Sequence, residues 1–138
     1  MNKTVIAALA LVTVTFAGPA SAEKLKATLD GKSEVPPTAG SGTGTAELNY
    51  DAASKKLSWT VTYSGLSGPA TAAHFHGPAE AGKNAGVAVA IPNAAASPVK
   101  GEATLTDAQA ADLLGGKYYI NIHTAANPGG EIRGQVTK

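Results

Sequence analysis

The stretch Thr45-Ala46-Glu47-Leu48-Asn49-Tyr50-Asp51-Ala52-Ala53-Ser54-Lys55-Lys56-Leu57-Ser58-Trp59-Thr60-Val61-Thr62-Tyr63 decides the fold. Ala46, Leu48 and Tyr50 alternate with Thr45, Glu47 and Asn49, and Leu57, Trp59, Val61 and Tyr63 alternate with Ser58, Thr60 and Thr62. Side chains two apart on a strand share a face, so each run offers one apolar and one polar face. Asp51-Ala52-Ala53-Ser54 between them is a turn, and the whole reads as a β-hairpin.

The same period of two continues on both sides. Leu25, Ala27 and Leu29 alternate with Lys24, Lys26 and Thr28, and Val87, Val89 and Ile91 form a short strand closed by Pro92. Further strands are expected from about Val99 to Leu105, Lys117 to Thr124 and Glu131 to Val136. One segment breaks the pattern. Thr106-Asp107-Ala108-Gln109 has the form of a capping box, Ala108 to Leu114 is built of good helix formers, and Gly115-Gly116 offers a stop. Seven or eight short strands with one crossover helix predict an all-β, antiparallel Greek-key sandwich. The Pro- and Gly-rich segment 35–42 reads as an ordered connection inside that domain.

At the N-terminus, Lys3, an apolar run from about Val5 to Ala17, Gly18-Pro19 and the small residues Ala20-Ser21-Ala22 have the form of an export signal over 1–22. The run is too short to span a membrane, so a single domain over 23–138 is expected in the periplasm or secreted, without membrane insertion. Removing Lys3 from the eleven basic side chains leaves ten against ten acidic ones, so no basic footprint for nucleic acid exists. The chain has no cysteine, and its one methionine is Met1. Packing and hydrogen bonds must therefore hold the domain.

All three histidines lie in two strand-like stretches, at His74, His76 and His123. His74 and His76 stand side by side on one face, a bidentate clamp, and His123 from a neighbouring strand would bring three imidazoles to one cation with a fourth position open. With Tyr118, Ile120 and Ile122 facing the core, His123 faces away. Pairing the last two strands with both apolar sets inward puts Ile122 opposite Ile132 and Glu131 opposite His123, where the carboxylate would bind the metal or hold the ring. The outward parity of all three histidines marks a solvent-facing patch. Two other readings stand beside the metal: a protein-interaction or matrix module whose histidines pin loops, and a copper redox enzyme. Without sulfur ligands, nitrogen and oxygen donors suit copper(II), zinc or nickel, and intrinsic affinity favours copper(II).

Other motifs fall away. Gly31-Lys32-Ser33 lacks the earlier glycine of a phosphate loop, Gly40-Ser41-Gly42-Thr43-Gly44 precedes a strand rather than a helix, and Gly65-Leu66-Ser67-Gly68 has its second glycine one place early for a nucleophile elbow. Carboxylates are scattered singly, and Trp59 belongs to the apolar set.

Ala72-Ala73-His74-Phe75-His76-Gly77-Pro78-Ala79, the long run from Tyr119 to Gln135, and the early Glu34-Val35-Pro36-Pro37 together resemble the chordin-type (CHRD) domain family. The resemblance implies an immunoglobulin-like or superoxide dismutase-like β-sandwich and supplies no reaction. Copper/zinc superoxide dismutases also carry a His-x-His strand motif. Their site needs more histidines than three, an aspartate ligand and a disulfide, so dismutation by that route is not expected here.

Overall fold

The computed structural model describes residues 13–14 and 22–138, so the export signal read over 1–22 lies almost wholly outside the described residues. The described chain forms β1 (Glu23–Asp30), β2 (Thr43–Asp51), β3 (Lys56–Ser64), β4 (Ala70–His76), β5 (Val87–Ile91), β6 (Val99–Thr104), α1 (Asp107–Leu114), β7 (Tyr119–Thr124) and β8 (Ile132–Gln135). The hairpin forms as read, with Ala46 opposite Val61 and Leu48 opposite Trp59. Its alternating burial in β2 follows the alternation of the residues.

All ladders are antiparallel and run in the order β5-β4-β7-β8-β1-β2-β3-β6. The sheet folds on itself: the ring of Trp59 in β3 meets that of Phe75 in β4 edge-on at 5.2 Å, although four strands separate them in the order. Leu29, Leu57, Phe75, Ile120, Ile122 and Ile132 are fully buried between the halves. An all-β domain around one sandwich core results.

The helix is capped as expected. Thr106 Oγ1 accepts from Gln109 N at 3.1 Å and Gln109 Oε1 accepts from Thr106 N at 2.9 Å. Gln109 Nε2 also donates to Ala88 O of edge strand β5 at 3.1 Å, which occupies an edge acceptor that would otherwise be open. Ala110 and Leu113, three apart on one helix face, are buried.

The halves of the sheet differ on their outer faces. In β2 every second residue is exposed, whereas all six residues of β7 are buried. The outer face of β4-β7-β8 is covered by the connections after β1, β4 and β7. Asn84 Nδ2 donates to Val35 O at 3.1 Å, Gln135 Nε2 to Ala79 O at 2.9 Å, and Thr38 Oγ1 to Glu131 O at 2.6 Å. This corrects the expectation of a solvent-facing patch. Parity places the histidines off the core face as read, but that face is roofed.

Where the halves meet, β8 and β1 share only the pair Asp30 and Arg133, with a further bridge from Lys26 to Thr137. Gly134 lies at this seam, and a Cβ there would collide with the Thr28 carbonyl. Gly134→Ala is therefore expected to destabilise the domain by about 2–3 kcal/mol, the upper range of overpacking. Urea unfolding of the variant checks this, and an unchanged midpoint would show that the seam is not tight.

Candidate metal centre

His74 and His76 stand on β4 two residues apart, and His123 stands on the adjacent strand β7. In the ladder Ala72 faces His123, His74 faces Asn121 and His76 faces Tyr119, so His123 is the diagonal neighbour of His74. One nitrogen from each imidazole lies within 4.8 Å of the others. His74 Nδ1 and His123 Nε2 are 3.1 Å apart, already close to the spacing of two nitrogens bound to one ion at about 2 Å.

The cover sets the chemistry of the rings. His76 Nδ1 lies 2.9 Å from Ala85 O, and His123 Nδ1 lies 2.8 Å from Pro128 O. A carbonyl only accepts, so both Nδ1 atoms carry hydrogen and both Nε2 atoms present lone pairs to the cluster. His74 Nδ1 then donates to His123 Nε2. A cation held here would take the place of that hydrogen, with the His74 proton on its own Nε2. His76 Nε2 is buried with no hydrogen-bond partner.

Burial lowers the pKa of His74, and the charges of His123 and His76 add to this. Burial likewise lowers that of His76, against the opposing pull of Ala85 and Asn121, with His123 and Arg133 reinforcing the drop. Both imidazoles are thereby held in the neutral form that binds metals.

His76 is also clamped from the side. Its ring stacks on Tyr119 at 4.9 Å and 3°, and the Arg133 guanidinium lies 3.4 Å from the Tyr119 ring centre. Tyr119 sits on the strand between β4 and β8, so the cation and the imidazole take opposite sides of it. The Tyr119 hydroxyl accepts from Ala85 N at 3.1 Å and donates to Ala85 O at 3.2 Å, which ties the same peptide that holds His76. Arg133 is buried and donates to Asn84 Oδ1 at 2.8 Å and to Lys83 O.

Glu131 is not brought to the imidazoles. Its register is as read, with Ile122 opposite Ile132 and Glu131 N donating to Ile122 O at 2.7 Å. Its carboxylate instead accepts from Thr124 Oγ1 at 3.0 Å, Asn127 Nδ2 at 2.9 Å, Ser67 N at 2.9 Å and Ser67 Oγ. Burial works to raise its pKa, but the bonds from Ser67, Asn127 and Thr124 outweigh it and hold the carboxyl below its ordinary value. Four donors occupy it, and the orienting role on His123 falls to the Pro128 carbonyl.

Three residues that sequence reasoning did not assign complete the site: Tyr119, Asn121 and Glu34. Tyr119 and Asn121 share the parity of His123, which is a usable signal; Glu34 arrives on the loop after β1. It is buried, and burial pushes its pKa up to about 7, against the charge of Arg133 and bonds from Asn121 and Val35.

A model of the CHRD domain matches residues 25–136. The chain belongs to the CHRD domain family. No curated protein and no solved structure matches it. The stretches 34–37, 72–79 and 119–135 that carry the CHRD resemblance are those that build the roofed face. In this CHRD domain they bring together Glu34, the three histidines, Asn121 and Arg133.

The raised pKa of Glu34 predicts a pH dependence. A carboxyl near 4.5 when unfolded and about 7 when folded binds a proton more tightly in the native state. Its cost is thus absent below 4.5, grows as pH rises from 4.5 to 7, and is complete above 7. Glu34→Gln should remove a loss of stability that reaches a few kcal/mol at most by pH 8. Urea unfolding at pH 5 and pH 8 tests it; equal pH dependence in both proteins would contradict the assignment.

Proposed function

We propose that this CHRD domain binds a divalent transition-metal ion through His74, His76 and His123, copper(II) ahead of zinc, and serves outside the cytoplasm in metal binding, storage or delivery rather than catalysis. One observation carries the reading. Backbone carbonyls take the Nδ1 hydrogens of His76 and His123, so two buried lone pairs are aimed into a cluster whose three nitrogens lie within 4.8 Å. Loop-pinning alone asks for the Nδ1 bonds and leaves the buried Nε2 of His76 without purpose.

The absence of cysteine, and of methionine other than Met1, leaves imidazole and oxygen donors. Among cations suited to them, copper(II) has the highest intrinsic affinity. The reading of residues 1–22 as an export signal supports a role outside the cytoplasm.

Isothermal titration of the metal-free protein is expected to give one site per chain, tighter for copper(II) than for zinc. A His74→Ala/His123→Ala double variant should lose it. Metal at a hundred times its dissociation constant should add about 2.7 kcal/mol to wild-type stability and nothing to the variant. Equal binding by the two proteins rules the site out and leaves the histidines as loop anchors.

A further inference from the structure

Among the described residues, three buried polar atoms on the roofed face have no hydrogen-bond partner: Glu34 Oε1, His76 Nε2 and Asn121 Oδ1. Asn121 is 3% exposed, lies directly across the ladder from His74, and stands two residues before His123 on the same face of β7. His74 and His76 on β4 and Asn121 and His123 on β7 thus form a skewed four-residue patch, with His74 and Asn121 directly paired and His76 and His123 diagonal to them.

The orientation of its amide follows from its neighbours. Asn121 Nδ2 makes a long bond of 3.4 Å to Gly129 O and lies beside the Glu34 carboxyl, both groups crowding the space above Gly130. Gly130 is what lets these groups close up, since a Cβ there would lie 2.6 Å from Asn121 Nδ2 and would collide with Glu34 Oε1. Once Glu34 is ionised, above about pH 7, turning the amide over would put its oxygen against a carbonyl and a carboxylate, three acceptors with no hydrogen among them. Nδ2 therefore faces the roof, and Oδ1 faces the histidines, with His74 directly across the ladder and His76 diagonal to it.

His76 spends its one hydrogen on Ala85 O. Its Nε2 and the Asn121 oxygen are thus both lone-pair donors, both buried, with no hydrogen between them. A buried polar group left without a partner destabilises the protein interior. A cation satisfies both at once, and so does a bridging water; the experiment below separates these.

We infer that Asn121 Oδ1 is the fourth ligand of the cation held by His74, His76 and His123. The inference rests on the metal reading above and changes its meaning. Three protein ligands with one open position are the mark of a catalytic zinc-type centre, whereas four protein ligands are the number of a structural site. Sequence parity alone left the fourth position open; with Asn121 in it, the protein supplies four donors and the site is built to hold an ion.

The test is pulsed electron–nuclear double resonance on the copper(II)-loaded protein, with 13C in the side-chain amides of its asparagines, in water and in deuterium oxide. The expected spectrum shows three imidazole nitrogens, one coupled amide carbon and no strongly coupled exchangeable proton. Asn121→Ala should abolish the carbon coupling and weaken copper binding about tenfold. Three imidazoles with a strongly coupled exchangeable proton and no amide carbon overturn the role of Asn121, because water then holds the fourth position. Unchanged affinity and spectrum in Asn121→Ala overturn it equally. A wild-type protein that takes up no copper defeats the metal reading itself, a separate outcome. Should the variant not fold, the wild-type spectrum alone decides.

Discussion

The carbonyl oxygens of Ala85 and Pro128 hold the two buried imidazoles by their Nδ1 hydrogens, and the character of the site depends on those two bonds. A histidine free in solvent exchanges tautomers and rotates. Here each ring has one tautomer, one orientation and one lone pair turned inward. The carbonyls come from the connections after β4 and β7, so the loops that roof the sheet are also the parts that prepare the ligands.

Roofing a polar sheet face carries a cost, since every buried polar group must find a partner or remain a liability. The domain meets it with two charged hubs. Glu131 gathers Ser67, Thr124 and Asn127 at one end of the face, and Arg133 gathers Asn84, Lys83 O and the Tyr119 ring near the other. Between the hubs the satisfaction is incomplete, and the unpartnered atoms of Glu34, His76 and Asn121 collect there. Trp59 Nε1 and the Tyr118 hydroxyl are unpartnered in the core, but only on this face do three such atoms gather beside convergent imidazoles, which is the observation behind the proposed cation.

Much of the scaffold is legible in the residues themselves. Alternation of Leu48, Tyr50, Leu57 and Trp59 dictates the hairpin because only one register buries both apolar sets. The Thr106 capping box states where the helix begins, and the parity of His123 against Ile120 and Ile122 puts it on the face of His74 and His76. Parity tells which face a side chain takes; it does not tell whether loops cover that face. Roofing depends on where Ala85, Val35 and Pro128 come to rest, which is tertiary information. The case of Glu131 shows the same division. Its place opposite His123 follows from strand register, while the direction of its carboxylate is decided by Ser67, sixty-four residues away in the chain.

The preset tautomers are the central claim, and nitrogen-15 correlation spectroscopy of the histidine rings in metal-free protein at pH 7 observes them directly. The account predicts hydrogen on Nδ1 and a lone pair on Nε2 in both His76 and His123, and that added zinc moves the Nε2 resonances of both. Hydrogen found on Nε2 of either ring, or resonances indifferent to zinc, would contradict it.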